Sequence, residues 1–308
     1  MTTAKPYYDF GESLKKRFPY KVQKISVNAG FTCPNRDGTL SVGGCTYCNN
    51  QTFHPGYCLT AASITEQLQQ GIRFFAHKYP EMKYIAYFQA YTNTYAPLNV
   101  LMQKFEEALA FPNIVGLVIG TRPDCVPDNL LDELAGLARH TFIQIEYGVE
   151  STSDATLQRI NRGHTFQQSV DAINRTADRG IAVGVHLILG LPGENREQLL
   201  SHAASISVLP VDTLKLHQLQ IIRYTAMAQE YAAYPERFYL FTPHEYTVLV
   251  VDFLERLNPQ IAIDRFISQS PKALLIAPDW GLKNFEFTAL VIKEFEQRGT
   301  RQGDKFSL

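Results

Sequence analysis

The stretch Phe142-Ile-Gln-Ile-Glu-Tyr-Gly-Val-Glu150 decides the architecture, because residues two apart on a strand share a face. Gln144, Glu146, Gly148 and Glu150 fall on one side, and Ile143, Ile145, Tyr147 and Val149 on the other. One side is polar. Further strands are predicted at 24–30, 84–91, 114–121, 183–190 and 213–221, all rich in β-branched and apolar residues. The same division recurs there: Ser26, Asn28 and Gly30 share a face, as do Gly116, Gly120 and Arg122, then Gly184, His186 and Gly190, then Lys215 and His217. Their opposite faces are mostly Ile, Val and Leu. Helical patterns at 64–79, 98–110, 129–139, 167–179 and 194–207 separate the strands, several opened by Ser, Thr, Asp or Pro and closed near Gly or Pro. This alternation predicts parallel strands joined by right-handed crossovers.

A parallel sheet covered on both sides by helices is apolar on both faces, and a closed eight-stranded barrel is filled by bulky branched residues. A polar, glycine-relieved inner face fits neither. It predicts an α/β fold with an incomplete (β/α)6 parallel barrel, its outer face under helices and its inner face around a ligand cavity. The alternative is that these polar groups satisfy one another in a closed core. Residues 21–223 would form the barrel, after an N-terminal segment at 1–20. The extension at 224–308, with helices at 245–257 and 287–297 and a short strand at 261–267, would cap the open side.

The chain has 308 residues, with 29 Lys+Arg against 30 Asp+Glu, a balance that excludes a globally basic nucleic-acid coat. At 45% hydrophobic and 19% charged it is not a disordered chain either. The opening residues MTTAKPYYDF lack a charged head followed by an apolar run, and no stretch approaches the roughly 18 apolar residues of a membrane span. A cytoplasmic protein without a membrane partner is expected. In that reducing setting five cysteines read as ligands, nucleophiles or buried thiols rather than a disulfide frame.

Three of the five, Cys33, Cys45 and Cys48, follow the first strand in a C-x11-C-x2-C spacing, where a parallel barrel carries its reactive loops. A structural zinc site takes four protein ligands, and a cubane iron–sulfur cluster is normally held by four cysteines. Three thiolates leave one iron open to a ligand that is not protein. On spacing alone Cys58 or His54 could instead complete a zinc site. Cys58 and Cys125 could equally be small buried residues, although Cys125 follows the third strand at the mouth and could meet substrate.

Behind the trio come, in order, Gly120-Thr-Arg-Pro-Asp124, Glu146-Tyr-Gly-Val-Glu-Ser151, Ile160-Asn-Arg-Gly-His164, Leu189-Gly-Leu-Pro-Gly-Glu194 and Leu216-His-Gln-Leu-Gln220. With these blocks the sequence resembles the radical S-adenosylmethionine superfamily over residues 21–222. It is very similar to the YhcC-like family, which is related to the Elongator catalytic-subunit class and to oxygen-independent coproporphyrinogen oxidase. The longer first gap, in place of the superfamily's usual C-x3-C-x2-C, is a feature of the YhcC-like family.

The resemblance implies a 4Fe-4S cluster on Cys33, Cys45 and Cys48, with S-adenosyl-L-methionine chelating the open iron. One electron from a donor such as flavodoxin or ferredoxin would cleave it to methionine and a 5′-deoxyadenosyl radical. By the same resemblance Tyr47 lies near the adenine, Glu150 near the ribose and Arg162 near the methionine carboxylate. The chemistry agrees, since a carboxylate suits a diol and a guanidinium forks onto a carboxylate. Gln89-Ala-Tyr-Thr-Asn-Thr94 stands where the superfamily has a Gly-Gly-Glu block, which makes Gln89, Thr92 and Asn93 candidates for the amino group. The Elongator likeness makes a tRNA nucleoside a candidate substrate.

The competing reading is a zinc-stapled, RNA-associated binding module without radical chemistry. It would use the basic run Lys15-Lys16-Arg17 with Lys21 and Lys24, beside Phe18 and Tyr20. Inside the barrel, His186 and His217 share a face with Lys215 and could be hydrogen-bonded core groups, proton donors or substrate contacts.

Overall fold

The computed structural model describes residues 5–52, 57–58, 63–76 and 81–307. Seven parallel strands form one curled sheet in the order β1 (Val22–Val27), β2 (Lys83–Phe88), β3 (Ile114–Thr121), β4 (Phe142–Glu150), β5 (Ala182–Leu189), β6 (Thr213–Gln218) and β8 (Ala262–Arg265). The expected incomplete barrel is present, with the short strand of the C-terminal extension hydrogen-bonded beside β6 as a seventh stave. The stretch predicted as one strand at 213–221 divides. Gln218 exchanges side-chain hydrogen bonds of 3.0 and 2.8 Å with the backbone of Ser268, and β7 (Ile221–Ile222) turns away to pair antiparallel with β9 (Leu275–Ala277).

The helices are α1 (Phe10–Arg17), α2 (Ile64–Ala76), α3 (Leu98–Leu109), α4 (Asp128–Ala138), α5 (Asp154–Arg159), α6 (Phe166–Ala177), α7 (Arg196–Ser207), α8 (Ala226–Ala233), α9 (Pro243–Arg256) and α10 (Asn284–Arg298). Reciprocal capping boxes start three of them, Thr165 with Gln168, Asn195 with Gln198 and Thr242 with Glu245, each satisfying two orphan backbone donors. The outward residues of the strands, among them Ile25, Phe88, Ile119, Ile145, Val185 and Leu216, are buried under the helical layer in one apolar cluster. Burial of each such side chain contributes about 1.5–3 kcal/mol.

The inner face differs from its expected polarity at the N-terminal end of the strands. Ile85, Tyr87, Val118 and Phe142 point inward there and pack against Phe10 and Leu14 of α1, which stoppers that end. The sequence segment preceding α1 also reaches the far edge, where Ile263 N–H donates to the Tyr8 carbonyl at 2.8 Å.

Candidate active site

Above the apolar stopper lies a layer of charge. Glu146, 1% exposed, receives Lys24 Nζ at 2.8 Å on one oxygen, and Lys215 Nζ at 2.5 Å and His186 Nε2 at 2.9 Å on the other. Asp264 receives Lys24 at 2.8 Å and Lys215 at 3.2 Å, and Lys215 also donates to the Tyr87 hydroxyl at 2.9 Å. Burial acts to raise the Glu146 carboxyl, but Lys215, Lys24 and His186 outweigh it and hold it well below the usual carboxylate range. Burial likewise opposes ionisation of Asp264, yet Lys24 and Lys215 draw it down to about 2. Two ammonium groups thus balance two carboxylates. The closed-core alternative describes this layer, whereas a cavity opens on the other side of it.

That cavity is lined by Cys33, Cys45 and Cys48 together with Tyr47, Gln89, Thr92, Glu150 and Arg162. Every site residue expected from the sequence is there except Asn93. Its side-chain amide is fully buried and donates to the Phe88 and Gly120 carbonyls at 3.0 and 2.8 Å, pinning the turn after β2, so it does not reach the cavity wall. Gln89 is within 3.3 Å of the Ser26 hydroxyl, and the Thr92 hydroxyl is buried without a partner.

The cysteine loop owes its position to the turn after α5. Asn161 Nδ2 donates to the Gly44 carbonyl at 2.9 Å, Asn35 Nδ2 donates to the Asn161 carbonyl at 2.6 Å, and Thr46 N–H donates to the Ile160 carbonyl at 2.9 Å. The same turn presents Arg162, whose Nη1 lies 3.6 Å from the Cys45 sulfur and whose Nη2 lies 3.6 Å from Glu150 Oε1. Glu150 sits at a bulge, where Gly148 pairs with His186 but Glu150 with Leu187, and its φ of +68° swings the carboxylate to the mouth. Gly148 makes the space: a Cβ there would stand 2.5 Å from Glu150 Oε1 and 2.7 Å from Arg162 Nη2.

Two further guanidinium groups, Arg36 from the cysteine loop and Arg122, which strand parity puts on the inner face without a role, join the wall. Arg36 donates from Nη2 to the Cys48 carbonyl at 2.8 Å, and Arg122, 2% exposed, is forked onto Asp124 at 2.9 and 2.8 Å. Buried N–H groups of Arg36, Arg122 and Arg162 are left without a partner along this one cavity. Three soft sulfurs facing unsatisfied cationic donors fit a sulfide-rich anionic cluster and a carboxylate-bearing cosubstrate. Burial and the neighbouring Cys45 sulfur push the Cys48 thiol up to about 12, and a bound metal would favour its thiolate.

The zinc alternative loses its fourth ligand among the described residues. Cys58 is buried, donates to the Ser26 carbonyl at 3.3 Å and has its thiol pushed up to about 12 by burial. His54 lies outside the described residues. Among those described, no three His, Cys, Asp or Glu side chains close to the spacing of a single-ion site. Thiolates that each take a different iron of a cubane stand farther apart than that. Cys125 leans on Asp124 at 3.7 Å rather than on the cavity wall. Lys24 leaves the expected basic surface cluster for the charged layer, while Lys15 pairs with Glu12 and Arg17 lies over the Phe142 ring. Asp264, in a segment not expected to join the sheet, was not foreseen at all.

A curled parallel sheet that gathers three sulfurs, a guanidinium and a carboxylate at the C-terminal mouth of its strands defines a class of half-barrel enzymes with their chemistry in the connecting loops. A family profile described as the Radical SAM superfamily matches residues 30–206, and one described as a Radical_SAM C-terminal domain matches 211–297. The chain belongs to the radical SAM superfamily. It is 37% identical to the protein YhcC of Escherichia coli (strain K12), over 88% of this chain and 86% of that one. It is 26% identical to a tRNA uridine(34) acetyltransferase of Methanocaldococcus infernus, over 65% of this chain but only 36% of the relative. The structure of the archaeal Methanocaldococcus infernus Elp3 superposes with a TM-score of 0.68 at 18% identity, over 92% of this chain and 64% of the other. That likeness is one of fold. No helix among the described residues is long and apolar enough to cross a membrane.

Proposed function

We propose that the protein is a radical enzyme in which Cys33, Cys45 and Cys48 hold a 4Fe-4S cluster and the cavity beside them seats S-adenosyl-L-methionine. When bound, this pair would supply a 5′-deoxyadenosyl radical upon one-electron reduction by a flavodoxin or ferredoxin. The observation that carries the reading is that the three sulfurs share one cavity with unsatisfied cationic donors. Arg162, already oriented by the Gly148 carbonyl, would fork onto the methionine carboxylate. Glu150 would accept from the ribose hydroxyls, Tyr47 would flank the adenine, and Gln89 and Thr92 would meet the amino group. The charged layer below would keep bulk water from the stoppered end.

The substrate we propose is a tRNA nucleoside. The tRNA uridine(34) acetyltransferase likeness supports it, although that relative carries much more chain than is matched here. Anaerobic reconstitution with iron and sulfide should give a brown protein that forms 5′-deoxyadenosine once reduced. Removing any of the three cysteines should abolish both. A protein that instead binds one zinc, without sulfide and without that product, would refute the reading. Mass spectrometry of tRNA nucleosides from cells with and without the protein tests the substrate.

A further inference from the structure

The cavity continues past the cofactor residues to a second wall that the cofactor reading leaves unused. That wall carries Arg265 on β8 and His217 on β6. Consecutive residues on a regular strand point to opposite faces, yet Asp264 and Arg265 both face the lumen. A register shift explains it: Leu214 pairs with Ile263, but the next residue, Lys215, pairs with Arg265, so Asp264 is the extra residue of a bulge. Asp264 is spent on Lys24 and Lys215, and Arg265 makes no hydrogen bond or ion pair among the described residues.

The charges near it sort cleanly. In the layer below, two ammonium groups meet two carboxylates, and at the cysteine end Arg162 faces Glu150 and Arg122 faces Asp124. Arg36 is tied to the Cys48 carbonyl, which leaves Arg265 as the cation of this cavity with no hydrogen-bond or ion-pair partner among the described residues. Beside it, the His217 ring makes no hydrogen bond and is held neutral by burial and by His186, while Gln220 accepts from Ser270 and keeps its own amide N–H groups to offer. A planar guanidinium with neighbouring neutral donors is the recognition chemistry of an oxyanion.

We propose that Arg265, with His217 and Gln220, forms a subsite for a phosphate or carboxylate group carried by the substrate. The inference deepens the radical reading, on which it rests for the reaction that follows binding. It assigns the substrate a negative charge at the β6–β8 side of the cavity, and the β8 bulge as the device that delivers the arginine.

The test is equilibrium dialysis of the reconstituted holoenzyme, with S-adenosyl-L-methionine present, against radiolabelled inorganic phosphate and, separately, acetate. The wild type should bind one of the two, and Arg265→Gln should weaken that binding about tenfold or more, the usual scale for losing a charge-assisted pair. Arg265→Lys, which keeps the charge but not the fork, should fall between and guards against a glutamine variant that does not fold. Displacement of the label by total tRNA would assign the group to a phosphodiester, and its failure to displace would assign it to a small molecule. Binding of neither anion, or equal binding by wild type and both variants, overturns the subsite. Formation of 5′-deoxyadenosine by the same wild-type preparation reports separately on the radical reading, so either idea can fall alone.

Discussion

At the level of single residues, much of the site could be read directly. Three cysteines, Glu150 and Arg162 stand in blocks whose residue types already match their partners, and all five line the cavity. Arg36 escaped notice because a lone arginine in a loop carries no periodic signal, and strand parity places Arg122 on the inner face without giving it a role. Asn93 misled for the opposite reason, since a polar side chain in a loop can as readily tie down backbone carbonyls as face a ligand. Gly148 offers a sharp residue-level test. Gly148→Ala would force a methyl group between Glu150 and Arg162, a crowding of roughly 1–3 kcal/mol that, expressed in the bound geometry of the pair, lowers cosubstrate affinity by about 5- to 150-fold. Calorimetric titration with S-adenosyl-L-methionine should show that loss while iron content per chain stays unchanged. An unaltered affinity would mean the pair does not touch the cosubstrate.

At the level of elements, the strand parity of β4 and the helix–strand rhythm delivered the curled sheet, because each face sees one environment along its whole length. They did not place β8: the short strand expected at 261–267 is present, but in the main sheet beside β6 rather than in a separate cap. Four residues are too few for alternation to show which sheet they join, and the bulge at Asp264 breaks what pattern there is. Nor did they reveal that α1 stoppers the barrel, since a short N-terminal helix has no crossover to announce it. The Lys24–Asp264 contact joins β1 to β8 with both side chains mostly buried, at 13% and 15% exposure. Lys24→Gln and Asp264→Asn should each destabilise by about 2–4 kcal/mol, because each strands opposing charge in a dry layer. The double variant should recover at least about 1 kcal/mol of the sum, as read from denaturation midpoints. Strict additivity would show that the two groups do not sense each other.

For the molecule as a whole, the buried histidines set the response to acid. Burial and then Arg162 hold the His164 ring down to about 3, far below the ordinary histidine value of about 6.5, and burial and His186 hold His217 well below it too. Below about pH 6.5 the unfolded chain takes up protons that the native rings refuse, so each histidine removes stability at about 1.4 kcal/mol per pH unit as pH falls toward its native value. The Asp264 carboxyl adds to the loss at lower pH, since its contribution is complete above about pH 4 and vanishes toward 2. Guanidinium midpoints should therefore drop steeply between pH 7 and pH 5, and His164→Gln should flatten that slope by about one proton. A slope unchanged by the substitution would mean the ring already titrates normally. The same architecture has a mechanical side. The two margins of the sheet, β1 and β8, meet through an ionic clasp rather than through a ladder, and β8 bridges instead to the backbone at Tyr8 and Asp9. A girth fastened in that way has its buckle in two side chains, while every stave of the wall is laced to its neighbour by backbone.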